Sequence, residues 1–274
     1  MRLWLPALAW WLGTSALWGA GTPARPATPD EVALFKDAIK NAEQEPEHWA
    51  YTEMTVSKFS KNGDKGATVV RVDPSKPYAE QFVPLQIDGK PPTAKQLKKY
   101  RERGEKRGEK HGEQLAKAEA HAADPAAPGP KTGKEKSLKL DLEHPLVISS
   151  DGENCIYRVP LVDHGTGVPP EKIEVSVVVN KASRQIRHAA MRVLESFRVK
   201  VVANVKEGEA SIDFAVVDPR FGPVMTSVTG TFGVSLVFVP VNAVFQSTRT
   251  DWQRVKPYNE RFGVKIGPLK ALDL

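Results

Sequence analysis

The alternation of apolar and polar positions predicts strands for most of this chain. Ile173, Val175, Val177 and Val179 fall on one face of a strand. Phe197, Val199, Val201, Ala203 and Val205 alternate with Arg198, Lys200 and Asn204, and Ile212, Phe214 and Val216 repeat the pattern before a Pro- and Gly-rich turn at 218–223. Period-two runs bounded by turn residues read as half-buried strands. Gly152, Gly165, Gly208 and Gly222 punctuate the run at hairpin-like spacing. From residue 138 onward the expectation is an antiparallel sheet, strongly twisted or barrel-like.

Helical periods occur twice. Thr28, Pro29 and Glu31 have the order of a capping box, and Val32, Phe35 and Ile39, with Leu34 and Ala38 beside them, follow at helical spacing until Pro46. Strands are predicted over 49–59, 67–72 and 81–87, the last closed by Asp88-Gly89, with hairpin-turn chemistry at 61–66. Pro91, Pro92 and Thr93 open a second helix with Leu97 and Tyr100 on one side. Gly104, Gly108 and Gly112 then recur every fourth residue among charges. The spacing is that of a small-residue packing seam, but such a seam needs apolar neighbours. The reading is a charged, low-complexity, solvated insert over 104–137, a frayed helix running into a disordered linker.

Residues 231–245 break the alternation, because both alternating sets are apolar: Phe232, Val234, Leu236, Phe238 and Val244 on one, Val237, Val239, Val241 and Phe245 on the other. A strand with one wet face does not need that. Either it is central between two layers or one of its faces lines an apolar cavity, with the two helices on the concave side.

Composition changes this picture in two places. The net charge of +6 is local: residues 90–139 hold 14 Lys and Arg against 7 Asp and Glu, leaving −1 for the rest of the chain. A general nucleic-acid surface is therefore not expected. At the N-terminus, Arg2 precedes an uncharged run from Leu3 to Trp18 and then the small residues Gly19, Ala20 and Gly21. Basic, apolar and small segments in that order predict a signal peptide over 1–21 and an exported, periplasmic or secreted product, with one domain over 28–274 interrupted by the insert. The run is at the short limit for a membrane span and contains Pro6.

Catalytic chemistry is nearly absent from the sequence. There is no nucleophile elbow, zinc-protease motif, phosphate loop or dinucleotide fingerprint. Cys155, the single cysteine, sits in a strand-like run and is expected to be buried and inert; the six histidines are scattered. His188 reads as a satisfied core or rim histidine. No catalytic residue, metal or cofactor is assigned, and binding is expected rather than turnover.

The layout of signal peptide, capped helix, strands, mid-chain helical excursion and long antiparallel run resembles the LolA, LolB and LppX lipoprotein-carrier superfamily of bacterial envelopes. Residues 72–77, Ile87-Asp88-Gly89-Lys90-Pro91-Pro92-Thr93, Leu97 and Tyr100 are also similar to uncharacterised proteobacterial envelope proteins. The resemblance implies an α+β fold in which a strongly curved antiparallel sheet, a half-barrel, carries helices on its concave face and holds acyl chains in an apolar cavity. Trp49, Tyr51, Phe82, Leu97, Tyr100, Phe232, Leu236 and Phe238 are the candidate lining. The expected partner is a lipid or acylated protein, with contact to anionic lipid through 95–136. The alternatives are an envelope interaction or assembly module without a cavity, and a hydrolase whose Cys155 or Ser nucleophile meets a histidine such as His144 or His164 in space.

Overall fold

The first helix forms where the capping box places it. In α1 (Pro29–Ala42) the Thr28 N–H donates to the Glu31 carboxylate at 2.8 Å, the Glu31 N–H donates to the Thr28 hydroxyl at 3.4 Å, and Arg25 closes on Glu31 at 2.6 Å. The Arg25 contact, helped by the two Thr28 donors, holds the Glu31 carboxyl down at a pKa of about 2. The second helix, α2 (Ala94–Ala123), opens on the same device, with Thr93 and Gln96 exchanging hydrogen bonds of 2.8 and 3.3 Å.

The chain is seen here as a computed structural model that describes residues 23–42, 45–59, 65–123, 137–199, 203–236 and 239–261. Besides the helices it contains β1 (Arg25–Pro26), β2 (Trp49–Phe59), β3 (Lys65–Val72), β4 (Phe82–Ile87), β5 (Leu138–Leu140), β6 (Leu146–Ser150) and β7 (Asn154–Val159). There follow β8 (Leu161–Asp163), β9 (Ile173–Asn180), β10 (Gln185–Val193), β11 (Phe197–Val199), β12 (Ala203–Ala215), β13 (Val224–Leu236) and β14 (Val239–Arg254). Twelve strands form one antiparallel sheet in the order β1-β6-β7-β9-β10-β12-β13-β14-β2-β3-β4, with β11 also on β12; β5 and β8 pair separately. The fold is α+β, with one large antiparallel sheet and two α-helices among the described residues. The pairing of β14 with β2 joins the two ends of the sequence at mid-sheet.

The register carries one face across the whole sheet. Tyr157, Val177, Ala189, Ile212, Val228, Ser247, Thr55 and Thr68 are successive partners from β7 to β3. At the β7–β10 end this face is sealed by α1: Phe35 and Ala38 are completely buried against Tyr157, Val177, Val179 and Ile186. The Phe35 and Tyr157 rings lie 5.0 Å apart, and the Tyr157 hydroxyl donates to the Glu31 carbonyl at 2.9 Å. The opposite face is polar there. Glu174, with a side chain 5% exposed, is held between Arg158 at 2.7 Å and Arg192 at 2.9 Å.

Three expectations of the strand pattern are corrected. Residues 197–205, which alternate as one strand, form a hairpin in which Phe197 pairs with Val205. Gly208 is not at a turn but in the middle of β12, opposite Phe232. Likewise 231–245 is not one doubly apolar strand but the β13–β14 hairpin. Phe232 pairs with Ala243 and Val234 with Val241, so the two apolar sets fold onto a single face, and Val244 is turned to the other side. The reversal switches odd and even positions, which a period-two reading takes for burial on both faces.

The glycines of α2 are also corrected. A Cβ at Gly104 would fall 2.1 Å from the Tyr78 carbonyl oxygen, and one at Gly108 would fall 3.0 Å from the Tyr78 ring. They form a packing seam against the backbone before β4, with Tyr78 in place of apolar helix neighbours. Gly112 has open space around it, as a solvated helix requires. The helix continues into the expected insert as far as Ala123, and residues 124–136 of that insert lie outside the described residues.

Candidate functional site

Between the two helices, the α1 face of the sheet continues over β12, β13 and β14. Here Ile212, Val228, Phe232, Val234, Val241 and Phe245 are half-buried rather than sealed. α1 packs on β7, β9 and β10, and α2 on β4 and the Tyr78 segment before it. The floor of this strip is built in an unusual way. The Phe232 and Phe245 rings are parallel within 4° at 6.1 Å between centroids. A Cβ on Gly230 would come 2.3 Å from the Phe245 ring, and one on Gly208 would come 3.1 Å from that of Phe232. The two rings therefore lie flat on the backbone of glycines in neighbouring strands. This arrangement covers the two strand glycines, beside register shifts at 205/207 and 213/214 in β12.

Towards β2 the same strip ends in an aromatic and arginine cluster. Trp49 meets Phe221 and Trp252 edge-on at 5.6 and 6.1 Å, and Tyr51 tilts on Trp252 at 4.8 Å. Arg254 covers Phe221 at 4.1 Å and Trp49 at 5.2 Å while pairing with Glu45. Arg249 covers Tyr51 at 4.8 Å and pairs with Glu53 at 3.0 Å, which also accepts from Ser247. Burial pushes the Tyr51 phenol up, and Arg254 holds the Glu45 carboxyl down. Each cation has both a ring and a carboxylate, so this cluster is a finished end wall.

The candidate lining residues thus fall into separate groups. Trp49 and Tyr51 belong to the end wall, under arginines. Phe232 belongs to the floor. Phe82, Leu97 and Tyr100 meet with Pro84 and Arg101 in a groove of about 120 Å³ where α2 lies against β4. Leu236 ends β13, and Phe238 lies outside the described residues. Phe245, Gly208 and Gly230 were missed; the signal available was a glycine inside an alternating run, which marks close approach by a neighbour. A larger groove of about 350 Å³, lined by Arg71, Asp73, Lys76, Glu80 and Val83, carries mixed charge.

Of the residues weighed for hydrolysis, Cys155 and His144 lie in different surroundings. Cys155 is completely buried in the α1 core, whereas the exposed His144 ring is bound 3.0 Å from Asp141. His188 lies on interior strand β10, on the face opposite α1, 2.7 Å from its cross-strand partner Asp213. Among the described residues no group of His, Cys, Asp and Glu is placed to hold a metal, and no helix is long and apolar enough to cross a membrane. No family model matches the chain, and no curated protein or solved structure matches it.

Proposed function

We propose that this is an exported envelope protein that binds an acyl chain, of a lipid or an acylated protein, on the α1 face of its sheet without chemical change. The sheet bends around the chain as a half-barrel, with α1 and the arginine-covered cluster as its two ends. The observation that carries the reading is the half-buried strip over β12–β14, floored by the flat Phe232 and Phe245 rings. Apolar side chains left half-open between sealed regions, with the Ser247 hydroxyl on the same face already donating to Glu53, suit a ligand recognised by area. Each buried methylene contributes about 0.8 kcal/mol, so one chain suffices for useful affinity. The leader over 1–21 would deliver the protein across the inner membrane.

The test is native mass spectrometry of the mature protein purified from its own envelope. The expected result is an adduct released on denaturation as a fatty acid or lipid, absent from Phe232→Ser at unchanged secondary structure, and a mature N-terminus beyond residue 18. An adduct-free mass from gently purified material would overturn the reading. It would favour an assembly module using exposed Met54 and Val244 on the opposite face.

A further inference from the structure

The seam between α2 and β4 contains a cation without a counter-ion among the described residues. Arg107 lies over the Phe82 ring at 4.1 Å, and its Nε and Nη2 are closed off from solvent with no hydrogen-bond partner among the described residues. Burial first, and the like charge of Arg103 second, push the guanidinium pKa down. Arg103 is itself 5.9 Å from the Tyr100 ring centroid. At helical spacing Tyr100, Arg103 and Arg107 share one flank of α2, while Leu97 and Arg101 lie towards the other. The contrast with the end wall is direct, since Arg249 and Arg254 stack on rings in the same way but each has a carboxylate.

Buried guanidinium N–H groups are almost always paired, so two closed-off ones leave room for an acceptor that the described residues do not supply. Phe82 and Tyr100 also border the adjoining groove, with Leu97, Pro84, Arg101 and the acidic Glu80. We propose that this seam is a site for the oxyanion head of an anionic amphiphile, with Arg107 as its closing latch. In the free protein Arg107 covers Phe82. Arrival of a carboxylate or phosphate draws the guanidinium off the ring into a forked hydrogen bond, with Arg103 as second cation, and the uncovered Phe82 face receives the first methylenes. The tail rests on the acyl-chain reading above; the oxyanion does not.

The experiment is calorimetric titration of the mature protein with sodium decanoate, decanol and inorganic phosphate, for wild type, Arg107→Gln and Arg107→Lys. The expected result is decanoate affinity reduced at least tenfold in Arg107→Gln and less in Arg107→Lys, with decanol unchanged. The ligand-free Arg107→Gln protein should also melt at a higher temperature, because an unpaired buried cation is gone; a purely structural arginine would lower it. Equal decanoate binding by wild type and Arg107→Gln overturns the site and leaves the acyl-chain reading intact. Phosphate binding as tight as decanoate and lost in Arg107→Gln supports the oxyanion site but overturns its amphiphile. If wild type binds neither decanoate nor decanol, the acyl-chain reading fails, and the anion site survives only if phosphate binds wild type and not Arg107→Gln.

Discussion

The two helices meet the sheet in opposite ways. α1 uses 14 residues and presents side chains: Phe35 and Ala38 are fully enclosed, and the seam is dry and satisfied. α2 uses 30 residues and presents backbone: Gly104 and Gly108 let it rest on Tyr78, an arginine takes the place of a core residue, and Leu97 and Leu115 stay 41% and 49% exposed. A seam of apolar side chains stabilises by the area it removes from water. A seam of glycines fixes position with little burial and leaves its polar groups near an apolar surface. The first arrangement suits a scaffold, and the second suits an element that responds to a ligand.

Removing the centre of the α1 seam should break the comparison at its stronger end. Phe35→Ala empties a fully buried site against Tyr157 and should cost about 3–5 kcal/mol in urea-induced unfolding. A loss below about 1 kcal/mol would mean that the site collapses easily and that α1 is no better packed than α2.

Within α2 the comparison is sharpened by a pair of identical substitutions. Gly104→Ala drives a methyl into the Tyr78 carbonyl and the Ala79 Cα, and should destabilise by about 1–3 kcal/mol and loosen α2, seen as faster amide exchange. Gly112→Ala meets nothing, and should stabilise by about 1 kcal/mol through helix propensity alone. Opposite signs eight residues apart would locate the edge of the seam. A gain at both positions would show that α2 does not rest on Tyr78.

The parts of this fold that were legible in the sequence are the ones governed by local chemistry. Thr28 and Thr93 cap their helices, and the Asp88-Gly89 turn closes β4 with both residues at positive φ. The illegible parts depend on chain reversal and on space. Alternation through 197–205 and 231–245 continues across two hairpins, because apolar residues at their bends give no turn signal. The packing role of Gly104 and Gly108 depends on Tyr78, more than 20 residues upstream, and charged neighbours at 105–107 obscure it. Of the candidate lining, Phe82, Leu97 and Tyr100 do meet, whereas the flat floor of Phe232 and Phe245 needs the register of β12, β13 and β14, which no single segment encodes.

The smallest effect belongs to the entrance of α1 and tests whether that satisfied seam extends to its charges. Glu31 is held at a pKa of about 2, against an unperturbed 4.5, by Arg25 and the Thr28 donors. A depressed carboxyl pKa stabilises the folded state above the unfolded value and loses that contribution as pH falls through the folded one. Glu31→Gln keeps an acceptor for the capping box but removes the charge. Because Arg25 is half-exposed, the loss should be only about 0.5–1 kcal/mol at neutral pH, and less in high salt. Thermal unfolding of wild type and Glu31→Gln should differ by a constant amount above about pH 5, converge between 4.5 and 2, and coincide below that. A difference that persists unchanged to pH 2 would assign the effect to the geometry of the cap, leaving the Arg25 charge without a role in holding α1 on the sheet.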